Sequence, residues 1–469
     1  MSKQLPERAS LEHLKNEAKA LKIQTGQRLA ESQLQIARDY GFLSWAKLKR
    51  HVEGFPSRRE AFFSAISAGD RALVEQILNE DPGLVRSHNP DSFGQVPISA
   101  AANREDRGMI DLLLSRGADI DARSDWWAGS FGALDFGSDE IAEYLISKGA
   151  TLTAHAAARL GKVEELREIV KSNPESVRER GGDGQFPLHF ARNAETVDIL
   201  VDAGADPDAR DIDHESTAAQ WRIQNSDVLS QLVERGASTD IFMAVALDNP
   251  SLIASHLLAD PASLTRKTNE PGNPMIRHQA PGSPIYVYEL GFSRPLQVAA
   301  NMGKDNAYSF LFDQSPPQAQ LLAACWKGDL EKAHALKSHV KSLSKEDASQ
   351  VADAARNRRH DLLALMLEIG FPVDSQDHEG MAPVHWASFH GDSDALNIIL
   401  PYRPSLSLKN GYGGTALGTL GYGSIHGWYV KTGAHAECAQ ILIDAGAEVK
   451  AEMRGNDAVN AVLDSYRSR

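Results

Sequence analysis

The feature that most constrains this chain is a phrase that keeps returning. It reads Gly380-Met381-Ala382-Pro383-Val384-His385-Trp386-Ala387-Ser388-Phe389-His390-Gly391 and is followed by the apolar run Ile398-Ile399-Leu400. Gly184-Gln185-Phe186-Pro187-Leu188-His189-Phe190-Ala191 leads in the same way to Ala203-Gly204-Ala205-Asp206, and Pro97-Ile98-Ser99-Ala100-Ala101-Ala102 leads to Leu112-Leu113-Leu114 and Gly117-Ala118-Asp119. The period is roughly 33 residues, too short for one unit to bury its own apolar face, so neighbouring units must stack. Each unit reads as two helices. A proline stands in the first turn of helix one, where its missing N–H costs nothing, and a Ser, Thr or Asp before it can cap the helix. Small residues follow, a glycine closes helix one, helix two carries the apolar pair, and Gly-Ala ends it. Starts near Ala61, Pro97, Gly129, Thr153, Pro187, Ala218, Ile241, Pro295, Gln320, Gln350, Pro383 and Ala416 give about twelve units.

This grammar resembles the ankyrin repeat, over about residues 55–455 and most closely in the second, fifth, eleventh and twelfth units. The resemblance implies an all-α, ankyrin-like solenoid of helix–turn–helix repeats with short β-turn fingers, helical caps and a concave binding groove. Residues 1–54 lack the repeat. They predict a helical N-terminal cap: one helix from Ser10 to about Ile23 with Gly26 beyond it, a second near Ser32–Asp39 ending at Gly41, and a third, Trp45–Val52, capped by Ser44. Basic Lys47, Lys49 and Arg50 give this leader the look of a DNA-reading motif, but a polar-faced terminal cap is the favoured reading. The chain resembles the bacterial ankyrin-like proteins that carry such a leader. A short helix over Asp457–Tyr466, within residues 456–469, is expected to close the other end.

Composition narrows the setting. No apolar run approaches the roughly 20 residues of a membrane-spanning helix, and Met1–Glu7 has no apolar core of a secretory signal. Cys325 and Cys438 occupy small or apolar core positions, which predicts buried free thiols. A cytoplasmic monomer is the expectation. Net charge is −14, with +4 on residues 1–53 and hence −18 on the rest. An acidic array disfavours nucleic acid, whose binding rests on neutralising phosphates.

Two segments interrupt the repeat. Residues 268–292 are rich in Pro and Gly and contain Tyr286-Val287-Tyr288, and Gly421–Gly433 reads as an inserted loop around His426-Gly427-Trp428. Loops on a rigid scaffold commonly carry function. Carried over from the ankyrin repeat, the groove side would hold Trp127, Asp135, Asp183, Asp213, His214, Trp326, Glu379, Phe389, His390, Tyr412, Tyr422, His426, Trp428 and Tyr429, with Tyr286 and Tyr288 folding over it.

Two functions are compatible with that surface. One is a binding module that holds a protein or peptide partner on aromatic anchors. The other is an enzyme acting on a small polar molecule, first a glycoside, with Asp135, Asp213, Glu215, His390 and His426 as acid–base groups and the rings stacking on the ligand. Each has a plainer counterpart. Asp213-His214-Glu215-Ser216-Thr217 is also a turn followed by a helix cap. His189 and His385 fall where an imidazole bonds between repeats, and Trp221 and Trp386 fall in core positions. No phosphate-binding loop, dinucleotide fingerprint, metal-ligand spacing or nucleophile elbow occurs, so no cofactor or metal is expected.

Overall fold

The computed structural model describes residues 11–25, 27, 29–40, 45, 48 and 57–467. The expected caps Ser10 and Ser44, the turn glycines Gly26 and Gly41, and most of the third leader helix lie outside the described residues. Among the described residues the chain is all-α, and its β pairing is limited to the isolated bridges Asn89–Gln95 and Arg210–Thr217 in two of the fingers.

Two compact units are present, each with its own packing. Met1–Ala218, Glu234–Ala237 and Gln279–Ser283 form the first, and Ala219–Val233, Ser238–His278 and Pro284–Arg469 form the second. In the first, the helices Leu11–Thr25 and Leu29–Asp39 share a small core of Leu14, Ala18, Ile36, Ala37 and Leu48. The pairs Arg58–Ala68 with Arg71–Glu80 and Pro97–Asn103 with Arg107–Ser115 then stack through Phe62, Ile66, Ile98, Ala101, Ile110 and Leu113. In the third and fifth repeats helix one shrinks to the single 3₁₀ turns Ala133–Asp135 and Pro187–Phe190.

The second unit ends in three repeats that matter below. They are Gln350–Arg356 with His360–Glu368, Pro383–His390 with Ser393–Ile399, and Ala416–His426 with His435–Asp444. The helix Asp457–Arg467 packs on the last of them with Val459 and Leu463 buried. The punctuation follows local chemistry. Asp392 caps its helix by accepting from Ala395 N at 3.1 Å, and Gly391 ends the preceding helix in a left-handed conformation, φ 64°. Fully buried Leu396, Leu420 and Leu442 each stabilise the stack by roughly 1.5–3 kcal/mol over an exposed position. His385 joins two repeats, accepting from Ala382 N at Nδ1 and donating from Nε2 to Leu408 O at 3.0 Å. His189 does the same in the first unit, accepting from Phe186 N and donating to Ser216 O at 3.1 Å.

Both interruptions differ from the loops expected of them. Within residues 268–292 a helix forms at Ile285–Leu290, and Tyr286 is fully buried, its hydroxyl donating to Asp240 Oδ1 at 3.2 Å. Proline and glycine around it mask the short apolar turn. The flank is tied down by buried Lys267, 3.0 Å from Glu346 and 3.3 Å from Asp347, and by Arg294, which donates to both oxygens of Asp347 at 2.8 and 3.1 Å. Burial would raise the Asp347 carboxyl, but Arg294 and Lys267 hold it below its usual range. In the last repeat, Gly421–His426 continues helix one, so that only the stretch from Gly427 to Ala434 is a loop.

Candidate functional site

Each of the two fingers at the start of the last two repeats is a turn built by a polar side chain. In Asp377–Met381, Oδ1 of Asp377 accepts from Glu379 N and Met381 N, both at 2.9 Å. Gly380 sits at φ 71°, and a Cβ there would lie 2.5 Å from Gly411 N of the next finger. The next finger is organised by Asn410, whose Oδ1 accepts from Tyr412 N at 3.0 Å and Gly414 N at 2.8 Å, while Nδ2 donates to Thr419 at 3.0 Å. Behind the fingers the helices Pro383–His390 and Ala416–His426 approach so closely that a Cβ on Gly423 would lie 2.3 Å from Phe389 O. Gly423 thus lacks the side chain that would hold these two helices apart, and Gly421 makes a similar close approach to Arg454 O, where a Cβ would lie at 2.2 Å.

The result is a cavity of about 480 Å³ lined by Trp386 and Phe389 of the eleventh repeat, Tyr412, Tyr422 and Trp428 of the twelfth, and Glu379. Met381, Asn410 and Thr419 complete its polar and soft floor, and Glu379 is the only charged residue among the described residues of the lining. After the helix ends at His426, Trp428 folds back onto Trp386, ring centroids 5.7 Å apart and 30° from parallel. Phe389 meets Trp428 edge-on at 5.7 Å and lies parallel to Tyr422 at 6.4 Å. Tyr412, Tyr422 and Trp428 are 79%, 60% and 61% exposed, whereas Trp386 is almost wholly buried.

Charge around the cavity is sparse and directed. Arg356 stands 4.9 Å from the Trp386 centroid and 5.7 Å from that of Trp428, with Nη1 3.6 Å from Glu379 Oε1. The Tyr412 hydroxyl donates to Glu379 Oε2 at 3.3 Å, and the carboxylate's charge raises the phenol pKa. Behind this wall, burial and the charge of Asp377 push the Asp353 carboxyl up to about 6. A second hollow of about 500 Å³ shares Glu379 and Tyr412 and is otherwise lined by Lys345, Gln376, Asp377, His378, Gly380 and Gly411.

The residues singled out in the sequence separate into several places. Glu379, Phe389, Tyr422 and Trp428 come together on the cavity. His426 is exposed beside Tyr422, 4.7 Å between rings, and Tyr429 packs edge-on against His390 at 5.0 Å. His390, expected to face the groove, is fully buried behind Trp386. Its Nε2 donates to Arg356 O at 3.0 Å, Nδ1 is buried without a partner, and burial lowers its pKa, so the ring is neutral. Trp326, also expected there, is half-buried and donates to Gln350 Oε1 at 2.7 Å. Tyr288 is exposed.

Other candidates belong to the first unit. Trp127 is exposed and packs edge-on against Trp126 at 5.8 Å. Asp135 is buried, accepts from Gly132 N at 2.7 Å, and pairs with Arg123 at 3.2 Å. Asp183 accepts from the Trp126 indole at 2.9 Å, and burial pushes its carboxyl up to about 6. Asp213 and His214 meet the returning segment Gln279–Ser283: Gly282 N donates to Asp213 O at 2.7 Å and His214 Nδ1 donates to Ser283 O at 2.6 Å. Asp211 accepts from His214 N and Ser216 N, the turn-and-cap arrangement, with Glu215 at φ 45° inside it. Donor atoms of Asp183, Asp213 and His214 lie within 4.8 Å of one another, as do those of His360, Asp392 and Asp394. Hydrogen bonds within the protein already engage both groups, Asp392 receiving Arg358 and His360 at 2.8 and 2.9 Å.

Sequence reasoning placed Trp386 in the core and passed over Arg356 and Asn410. Trp386 is in fact both core and wall. The signal for Asn410 was its place before Gly411-Tyr412-Gly413-Gly414, where only a side-chain acceptor can close the turn.

The family model described as Ankyrin repeat matches residues 93–125 and 183–212. The chain carries ankyrin repeats. The ankyrin segment is 33% identical over 101 residues to Ankyrin repeat and SAM domain-containing protein 6 of Rattus norvegicus, covering 21% of this chain and 11% of that protein. It is 26% identical over 140 residues to Alpha-latrotoxin-Lhe1a of Latrodectus hesperus, covering 29% and 8%. The match thus spans about a tenth of these relatives' length. A solved chain from the Bd0816 Predatory Endopeptidase of Bdellovibrio bacteriovorus in complex with immunity protein Bd3460 aligns at 20% identity and a TM-score of 0.26, over 37% of this chain and 97% of that one. Ankyrin repeats support a role in protein–protein interaction. Among the described residues no helix is long and apolar enough to cross a membrane.

Proposed function

We propose that the second unit of this ankyrin protein is a polypeptide-binding module anchored on the cavity between the eleventh and twelfth repeats. The observation that carries this reading is the cluster of exposed rings, Tyr412, Tyr422 and Trp428, standing over buried Trp386 and half-buried Phe389. Large aromatic side chains around a pocket are the usual composition of an interaction hot spot, and exposed ones lose unfavourable hydration when a partner covers them. The walls are held by hydrogen-bonded fingers and by helices in backbone contact, so little ordering is left to oppose binding. The acidic chain, −14 overall, favours a partner that is basic where it meets this surface.

The glycoside-hydrolase reading is less well supported at this site. Hydrolysis by two carboxylates needs them at about 5–9.5 Å across the ligand. Glu379 is the single carboxylate of the lining.

Selection of random peptides on the immobilised full chain tests the proposal. Enriched peptides should bind with micromolar Kd and lose at least about tenfold in affinity, 1.4 kcal/mol, on the Trp428→Ala chain. Peptides indifferent to Trp428→Ala and Tyr422→Ala would place any binding elsewhere.

A further inference from the structure

Resting on that reading of the cavity, we infer that its anchor is a basic side chain of the partner, lysine or arginine, and that Glu379 selects the charge. The lining combines ring faces with one carboxylate and offers no cationic group. A lysine or arginine has the matching shape, an apolar stem for the rings and a charged head for the acid. Ring faces attract a cation through their quadrupole, most strongly where water is excluded, and Trp is the best of them.

The molecule already displays this chemistry on itself. Arg356 lies over Trp386 and Trp428 at 4.9 and 5.7 Å while facing Glu379 Oε1 at 3.6 Å. A guanidinium is therefore accommodated by these rings and this carboxylate together, from outside the lining. The second carboxylate oxygen is turned to Tyr412 at the open side, where the hydroxyl is a donor an incoming ammonium can replace. Asp377 belongs to the same finger as Glu379, and Asp353 lies close enough to feel the charge of Asp377. Asp377 Oδ2 is committed to the Trp386 indole, so the carboxylate of the lining is that of Glu379, which already faces Arg356 at 3.6 Å and His378 at 3.9 Å and accepts from Tyr412. An apolar or aromatic anchor would fill the same volume but cover that carboxylate without supplying a donor to replace its water, a cost a basic anchor avoids.

The test uses the full chain and a host peptide of Gly and Ser around one central residue: Lys, Arg, norleucine or Glu. Binding is followed through the indole N–H resonances of Trp386 and Trp428, which report this cavity even at millimolar affinity. Lys and Arg peptides should move both signals and bind about tenfold more tightly than norleucine, an advantage typical of a desolvated cation on aromatic faces. The Glu peptide should not bind. On Glu379→Gln the advantage of Lys over norleucine should shrink several-fold, Lys binding more weakly than to the parent and norleucine at least as tightly, with the preference due to the rings remaining. Norleucine binding as tightly as Lys to the parent chain would overturn the inference while keeping the cavity as an apolar anchor. No response to any peptide would remove the polypeptide reading as well. The Lys–norleucine comparison on the unmodified chain decides the matter even if Glu379→Gln misfolds.

Discussion

The indole Nε1 of Trp386 donates to Oδ2 of Asp377 at 2.7 Å, tying the wall of the cavity to the finger that precedes it. The other oxygen of the same carboxylate shapes that finger through two backbone amides. Asp377→Asn keeps the size but turns an amide donor toward either the indole or the finger. One buried donor is then unpaired, at a cost of about 1–3 kcal/mol. The expected outcome is a melting temperature lower by several degrees, at about 2–4 °C per kcal/mol for a unit of this size. An unchanged melting curve would show that the bond is dispensable.

Gly418 and Gly423 stand in the same helix and predict opposite results. A Cβ at Gly423 meets Phe389 O at 2.3 Å, so Gly423→Ala must push the two helices apart, costing about 1–3 kcal/mol and opening the aromatic stack. A Cβ at Gly418 finds only Thr415 Oγ1 at 3.6 Å, and Gly418→Ala should stabilise by up to about 1 kcal/mol through helix propensity. Because Gly418 lines the cavity, the stabilised chain should nonetheless bind peptide more weakly. Thermal melts of the two variants check the pair.

Asp183 predicts a pH dependence in the first unit. Burial raises its carboxyl from 3.8 to about 6; the charges of Asp213 and Asp211 also raise it, and those of His214 and the Trp126 hydrogen bond oppose the rise. The folded carboxyl binds a proton that the unfolded one releases between these values. Its contribution to stability is therefore full below about pH 4 and is lost as pH rises through 6. Asp183→Asn keeps an acceptor for the indole and suits φ 54°, a conformation asparagine tolerates. The variant should melt higher than the parent at pH 7, with the difference shrinking toward pH 4.

Cys325 and Cys438 are fully buried, and burial pushes both thiols up to about 12. Thiolate is the reactive form, so native protein at pH 8 should resist iodoacetamide while denatured protein takes up two labels per chain. Rapid labelling of the native chain would contradict the burial.

Much of the fold is legible in the sequence because the repeat is punctuated by residues with one job each. Pro383 fits only a first turn, Gly391 ends a helix, and the imidazoles of His189 and His385 join repeats. The aromatic residues were legible as a set, since Glu379, Phe389, Tyr422 and Trp428 depart from what stacking requires. Their contacts were not. Glycines 421 and 423 read as loop because propensity opposes them in a helix; their presence reflects a backbone approach visible only in three dimensions. His390 read as facing the groove because the ankyrin pattern puts the end of helix one on the concave side, but Trp428 of the next repeat covers it. Asp135 read as a free acid because its partner, Arg123, comes from a turn that no periodicity announces; nor does any periodicity announce the returning segment whose Gly282 N bonds the backbone of Asp213.

The central claim is that the cavity on the eleventh and twelfth repeats receives a polypeptide. The most direct measurement is calorimetric titration of a selected peptide into the full chain and into Trp428→Ala. Trp428 is 61% exposed but stacks on Trp386 and Phe389, so its removal should lower the melting temperature by only a few degrees and leave the chain folded at the temperature of the titration. The account predicts at least about a tenfold loss of affinity for that folded chain. Equal affinity for the two chains would contradict it.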